Sequence, residues 1–105
     1  MLTFNTITIC GHVGNRRIFE RGGELTMVKL SVATNRKRDG NDETTWFDVL
    51  LWGKTAEYAA DNVEKGDAVI VEGSVNDRKD EQGRVWKDVH CRQLVKTATG
   101  GGRVS

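Results

Sequence analysis

Four side chains that could ligate a metal ion stand in two pairs, Cys10 with His12 and His90 with Cys91. Thiolates and imidazoles are the ligands that zinc prefers, usually in tetrahedral sets of four. Residues two apart share a face of a strand, so Cys10 and His12 could act together, whereas the adjacent His90 and Cys91 would point to opposite faces. A four-ligand site is therefore awkward, and buried thiols with surface histidines are favoured. A metal-dependent protein using Cys10, His12 and His90 is a weaker alternative.

No catalytic motif competes with this set. The sequence contains no nucleophile elbow, no phosphate-binding loop and no HExxH metal motif, and its acidic residues are scattered. We therefore expect no enzymatic activity, no cofactor and no bound metal.

Two tryptophans stand six residues apart in the stretch TTWFDVLLWGK, which is rich in β-forming residues. In a strand, one face would carry Trp46, Asp48, Leu50 and Trp52, and the other Phe47, Val49 and Leu51. The second set suits a core. The first would display flat indole rings, which can stack on unpaired bases at about 1–3 kcal/mol per contact. Because tryptophan is also enriched at subunit interfaces, the residues alone leave both interpretations open.

Basic residues lie close in sequence to each tryptophan. Binding of a single-stranded nucleic acid would require this arrangement, with bases stacked on the indoles and phosphates near the cations. Acidic residues share the same loops, and charged hairpin tips are usually only solvated. The net charge of +1 gives no overall attraction for a polyanion, so any binding of nucleic acid must depend on where the basic residues lie. The candidate contacts to nucleic acid are Arg36, Lys37, Arg38, Lys54, Arg78, Lys79, Arg84 and Lys87, together with Trp86.

Alternating apolar residues predict strands over residues 4–13, 25–34, 44–52, 67–75 and 86–95, with a turn region over 14–23. Polar hairpin tips are predicted over 35–43 and 76–83. Between the third and fourth strands, Ala56, Ala59, Ala60 and Val63 follow a helical period, with Thr55 as the expected N-cap and Gly66 as the stop signal. This order predicts an all-β, five-stranded OB-fold, a Greek-key barrel with one short helix between strands 3 and 4.

The chain has 105 residues, which suits one domain. We expect that domain to cover residues 1–96, followed by a flexible Gly-rich tail over 97–105. No apolar run approaches the roughly 18 residues of a membrane helix, and the N-terminus lacks the features of a signal peptide. The expected location is the cytoplasm, in association with the nucleoid and without a membrane partner.

Over residues 4–95 the chain resembles the bacterial-type single-stranded DNA-binding proteins. The matching stretches are NTITICGHVG, VKLSVATN, TTWFDVLLWGKTAEYAADNVEKGDAVIVEG and the closing strand. The resemblance implies an OB-fold that binds single-stranded DNA without sequence preference in replication, recombination and repair, usually as a homotetramer. It implies base stacking at Trp46 and Trp52, and subunit contacts at Phe4, Thr6, Thr8 and Phe47.

Three departures from the family pattern stand out. Many relatives carry an aromatic residue in the first hairpin, where this chain has three basic residues, Arg36 to Arg38. The aromatic residue usual in the second hairpin arm is absent, and Trp86 follows several residues later, either as a substitute or as a packing residue. Relatives also continue through a Gly-rich segment to an acidic tip that recruits replication and repair proteins, so we expect such partners only if a tail follows GGGRVS.

A second hypothesis comes from a different class of protein. The chain is similar in size to the dimeric primosomal OB-fold protein, and it could be a module of that kind, whose main task is to dock other proteins. Its assembly state, a dimer rather than a tetramer, would distinguish it.

Overall fold

The computed structural model describes residues 3–98. Its elements are β1 (Ile7–Arg21), β2 (Glu24–Arg38), β3 (Asn41–Leu51), α1 (Gly53–Asn62), β4 (Ala68–Lys79) and β5 (Val85–Ala98). The five strands close a barrel in the order β1-β2-β3-β5-β4. Only the β3–β5 pairing is parallel. The predicted five-stranded barrel with one helix between its third and fourth strands is confirmed.

Strand β1 is longer than predicted and has two partners. Its first part, from Ile7 to His12, pairs with β4, and its second part, from His12 to Arg21, pairs with β2. The register with β2 shifts between Val13 and Asn15, which marks a β-bulge at Gly14, two residues after the strand passes from one partner to the other at His12. The prediction of a turn over residues 14–23 was therefore wrong for most of that segment. The turn itself lies at Gly22 and Gly23, whose φ angles of 61° and 84° suit glycine.

The two hairpin arms extend beyond the predicted strands. Strands β2 and β3 pair as far as Arg38 and Asn41, so the first tip is a tight turn at Asp39 and Gly40. Strands β4 and β5 pair out to Lys79 and Val85. Both arms were predicted as loops because they project past the core, and a strand exposed on both faces shows no alternation of apolar residues.

The core fills the barrel with small aliphatic side chains from every strand and from one face of α1. Its fully buried members include Val28, Leu30, Val49, Leu51 and Val71. Their burial confirms the predicted inner face of β3. It also leaves the opposite face of that strand outside the barrel.

The helix closes one end of the barrel. Ala56, Ala59 and Val63 are buried, as the helical period predicted. The expected N-cap was wrong: Trp52 occupies that position, and the Thr55 hydroxyl instead donates to the Trp52 carbonyl at 2.7 Å. Gly53, with a φ of 61°, lets the chain enter the helix at once from β3, which places the start of α1 before Thr55.

Polar side chains secure the far end of the helix. The Arg16 guanidinium donates to the carbonyls of Ala60 and Val63 at 2.9 and 2.7 Å, which satisfies acceptors that a helix C-terminus leaves open. In the following loop, the buried Asp67 accepts a hydrogen bond from the Glu64 amide at 2.8 Å. Arg16 thereby ties the C-terminal end of the helix to β1.

Strand β5 continues to Ala98, two residues past the predicted end of the domain at 96. The rest of the predicted tail, residues 99–105, lies outside the described residues. Within the part of the chain that is described, no helix is both long and apolar enough to cross a membrane.

Candidate functional site

All three tryptophans lie on the outer face of the barrel. The parallel register pairs Asp48 with Asp88, so Trp46 and Trp86 each stand two residues before the first parallel pair, on the same side of the sheet. The exposed fractions of Trp46, Trp52 and Trp86 are 59%, 43% and 45%. We call the surface formed by these tryptophans with Asp48 the tryptophan face.

Trp46 lies across β2 and reaches β1. Its partner on β2 is Ala33, whose partner on β1 is His12. A Cβ atom built on Gly14 would lie 2.4 Å from Cζ3 of Trp46, so the indole rests directly on the glycine backbone. Small residues at positions 14 and 33 therefore let the ring lie along the sheet while more than half of it stays exposed.

Trp52 follows β3 and is supported from β5. The Trp52 and His90 rings meet edge to face, with centroids 5.0 Å apart and an angle of 76° between the planes. This geometry is favourable for aromatic pairs, so His90 supports the indole from one side. The sequence did not indicate that His90 and Trp52 are neighbours, because the parallel β3–β5 pairing alone brings them together.

Trp86 belongs to a compact cluster at the second hairpin. Its indole N–H donates to the Asp80 carboxylate at 3.0 Å, and Nε of Arg84 donates to the same oxygen at 2.9 Å. The Arg84 guanidinium also lies over the indole, 5.6 Å from the ring centroid. The hydrogen bond from Trp86 is the largest of the contacts that lower the pKa of Asp80. Trp86 is thus held in place, with one of its faces covered by a cation.

Most of the predicted phosphate contacts already have acidic partners. Arg36 and Arg38 lie 3.5 and 3.9 Å from Glu43, and Lys87 pairs with Asp77. These pairs are exposed, and such pairs contribute little free energy, so a phosphate can compete for the cations. Within residues 3–98, Lys37, Lys54 and Lys79 have no ion-pair partner.

Arg78 differs from the other cations. Its guanidinium contacts both carboxylate oxygens of Asp88, at 2.7 and 3.4 Å, while the Asp88 side chain is only 3% exposed. The hydrogen bond to Asp88 is the main reason that the pKa of Arg78 is raised. Arg78 therefore neutralises a buried carboxylate, a structural task that the sequence did not reveal.

The residues predicted at subunit contacts occupy two environments. Phe4 is 88% exposed, and Thr6 and Thr8 are exposed beside it. Phe47 is half-buried and packs against the core from the inner face of β3. Arg92 donates to the Thr6 hydroxyl at 3.3 Å, which ties the segment before β1 to β5.

The candidate metal ligands do not come together. Cys10 is exposed on β1, whereas His90 supports Trp52 and Cys91 packs against the core. Burial raises the pKa of the Cys91 thiol to about 11, so it stays protonated at neutral pH and is a poor ligand. Among residues 3–98, no three His, Cys, Asp or Glu side chains form a group that could hold a metal ion.

Comparison with known proteins gives one consistent family. A model described as "Single-strand binding protein family" matches residues 4–97. Single-stranded DNA-binding protein 1 of a Nostoc species is 39% identical over 77 residues, which cover 70% of this chain and 62% of that protein. Single-stranded DNA-binding protein 2 of Chlorobaculum tepidum is 32% identical over 94 residues, 83% of this chain and 60% of that protein. The chain thus spans about three fifths of the length of these relatives.

Among solved structures, one described as "Plasmodium falciparum SSB complex with ssDNA" superposes with a TM-score of 0.78. It covers 92% of this chain and 97% of that one, at 23% sequence identity. At this identity the likeness supports the barrel fold.

Proposed function

This chain belongs to the single-strand binding protein family, and from that premise we propose that it binds and protects single-stranded DNA without requiring a particular sequence. The bases stack on Trp46, Trp52 and Trp86, while basic residues of the hairpin arms contact the phosphates. The cellular setting is replication, recombination and repair. The observation that carries this proposal is the display of all three tryptophans on one outer face of the barrel.

The charges around this face support the proposal. Lys37 and Lys79 lie on the two hairpin arms, and Lys54 follows Trp52 at the start of α1. All three are without an ion-pair partner in the described part of the chain, so a DNA backbone can contact them without displacing a carboxylate. Binding that releases counterions from phosphates weakens as salt is added.

The test is a fluorescence titration of the protein with oligo-dT. Stacking should quench tryptophan emission, and Trp52→Ala should weaken binding by about 1–3 kcal/mol. Tyr58→Ala is the matched control, because Tyr58 is a similarly exposed aromatic residue on α1 that is not among the proposed stacking residues. Unchanged affinity in Trp52→Ala would remove that residue from the site, and no binding by the native protein would refute the function.

A homotetramer is the second part of the proposal. Phe4 exposes 88% of its surface, which is unusual for a phenylalanine, and it adjoins the start of β1 with Thr6 and Thr8. A second copy packed on this segment would cover it. Light scattering should report four subunits, and Phe4→Ser should shift the assembly toward smaller species. A dimer in the native protein would instead favour the docking-module hypothesis.

A further inference from the structure

We infer that Asp48 selects among bases on the tryptophan face: its carboxylate accepts hydrogen bonds from the amino groups of cytosine, adenine and guanine, and so disfavours thymine. The inference rests on the proposed function and names the class of base that this position binds. It concerns base composition, which is compatible with binding to any sequence.

Asp48 occupies the middle of the proposed stacking surface. It lies on the outer face of β3, two residues after Trp46 and four before Trp52. Its side chain is 37% exposed. Bases stacked on the flanking indoles would therefore pass over this carboxylate.

The Asp48 carboxylate can still accept hydrogen bonds, in contrast to that of Asp88, its neighbour on β5. Across the parallel pairing, Asp88 has both oxygens bound by Arg78. Asp48 forms an ion pair with Lys29, whose amino group lies 4.0 Å away, beyond hydrogen-bond distance. Arg78 also attracts Asp48 electrostatically, but it makes its hydrogen bonds to Asp88. Within residues 3–98, no donor makes a hydrogen bond to the Asp48 carboxylate.

The chemistry of a carboxylate at this position favours particular bases. The carboxylate disfavours contact with a phosphate, so we expect the DNA to present base edges at this position. Carboxylates accept hydrogen bonds from the amino group of cytosine, and adenine and guanine also carry exocyclic amines. Thymine has none, and its N3–H lies between two carbonyl oxygens that repel an anion. An amino-bearing base thus gains a charge-assisted hydrogen bond that thymine lacks.

The experiment compares oligo-dC with oligo-dT of equal length for the native protein, Asp48→Asn and Asp39→Asn, at one salt concentration. Asparagine is isosteric with aspartate but can both donate and accept, so it should bind either base. We expect the ratio of the dT to the dC dissociation constant to fall about fivefold or more in Asp48→Asn. Asp39→Asn makes the same charge change at a hairpin turn with a φ of 53°, which asparagine tolerates, and should leave the ratio unchanged.

Every outcome is decisive. A ratio in Asp48→Asn within twofold of the native one overturns the inference, while binding of both oligonucleotides would leave the proposed function intact. A native protein that binds neither oligonucleotide refutes the proposed function and the inference with it. Circular dichroism establishes that Asp48→Asn is folded, and Asp48→Ser provides a second variant in which the carboxylate is absent.

Discussion

The indole of Trp46 lies on the backbone of Gly14, two strands away in the sheet. A Cβ atom at position 14 would stand 2.4 Å from Cζ3 and 2.5 Å from Cη2 of Trp46, far inside van der Waals contact. Gly14 also lies at the bulge in β1, two residues after His12, where the strand passes from β4 to β2. The same glycine therefore bends the strand and leaves room for the exposed ring.

The first prediction concerns this contact. Gly14→Ala should displace the Trp46 ring and weaken binding of single-stranded DNA by roughly the value of one stacked base, about 1–3 kcal/mol. A double-mutant cycle with Trp46→Leu provides the control, because without the indole the added methyl group has nothing to displace. Equal effects of Gly14→Ala in both backgrounds would show that the methyl group acts elsewhere.

Arg78 should matter more for stability than for DNA affinity. Arg78→Ala leaves the buried Asp88 carboxylate without its bidentate partner, and we expect the melting temperature to fall by several degrees, on the order of 5 °C. The neighbouring Lys79→Ala should leave the melting temperature unchanged and reduce the salt dependence of binding. Recovery of stability in Arg78→Ala combined with Asp88→Asn would identify the orphaned charge as the cause. The explanation fails if Arg78→Ala melts at the native temperature.

Asp80 should make the environment of Trp86 sensitive to acid. The hydrogen bond from Trp86 and those from Arg84 lower the folded-state pKa of Asp80. A lowered folded pKa means that the cluster is stabilised above the ordinary aspartate value of about 3.9, and that this stabilisation is lost as the pH falls through the lower folded value. In a Trp46→Phe, Trp52→Phe background, the emission of Trp86 should shift on acidification below about pH 4.

Asp80→Asn is the control for that experiment. It removes the titrating group from the cluster and keeps a side chain of the same shape. An identical acid transition with and without Asp80→Asn would show that another group is responsible.

The two cysteines should react at different rates with a thiol reagent. Cys10 is exposed, whereas Cys91 packs against the core and burial raises its pKa to about 11. Because the thiolate is the reactive form, Cys10 should be modified first at neutral pH, and Cys91 much more slowly. Mass spectrometry of Cys10→Ser and Cys91→Ser distinguishes the two sites. Comparable rates in the native protein would contradict the described packing of Cys91.

Much of the proposed binding surface could not be predicted, because its interactions join residues that are distant in sequence. The sequence indicated that Trp46 and Trp52 share the outer face of a strand, and the fold agrees. It gave no sign that His90 supports Trp52 or that Gly14 lies beneath Trp46, since both contacts depend on strand pairing. The pair formed by Arg78 and Asp88 was also hidden, and Arg78 was predicted only as a phosphate contact.

The alternation of apolar residues and the single helical segment were enough to determine the barrel, its helix and the inner and outer faces of β3. These features follow from local periodicity, because a side chain's face depends on its place along its own strand. The tertiary structure alone decided how far the hairpin arms extend, where the chain bends at Gly14, and which cations are already occupied by carboxylates. Pairing between distant segments fixes those properties. It brings Arg78 to Asp88, which accepts its hydrogen bonds, whereas Asp48 has only an ion pair with Lys29 at 4.0 Å and accepts no hydrogen bond within residues 3–98.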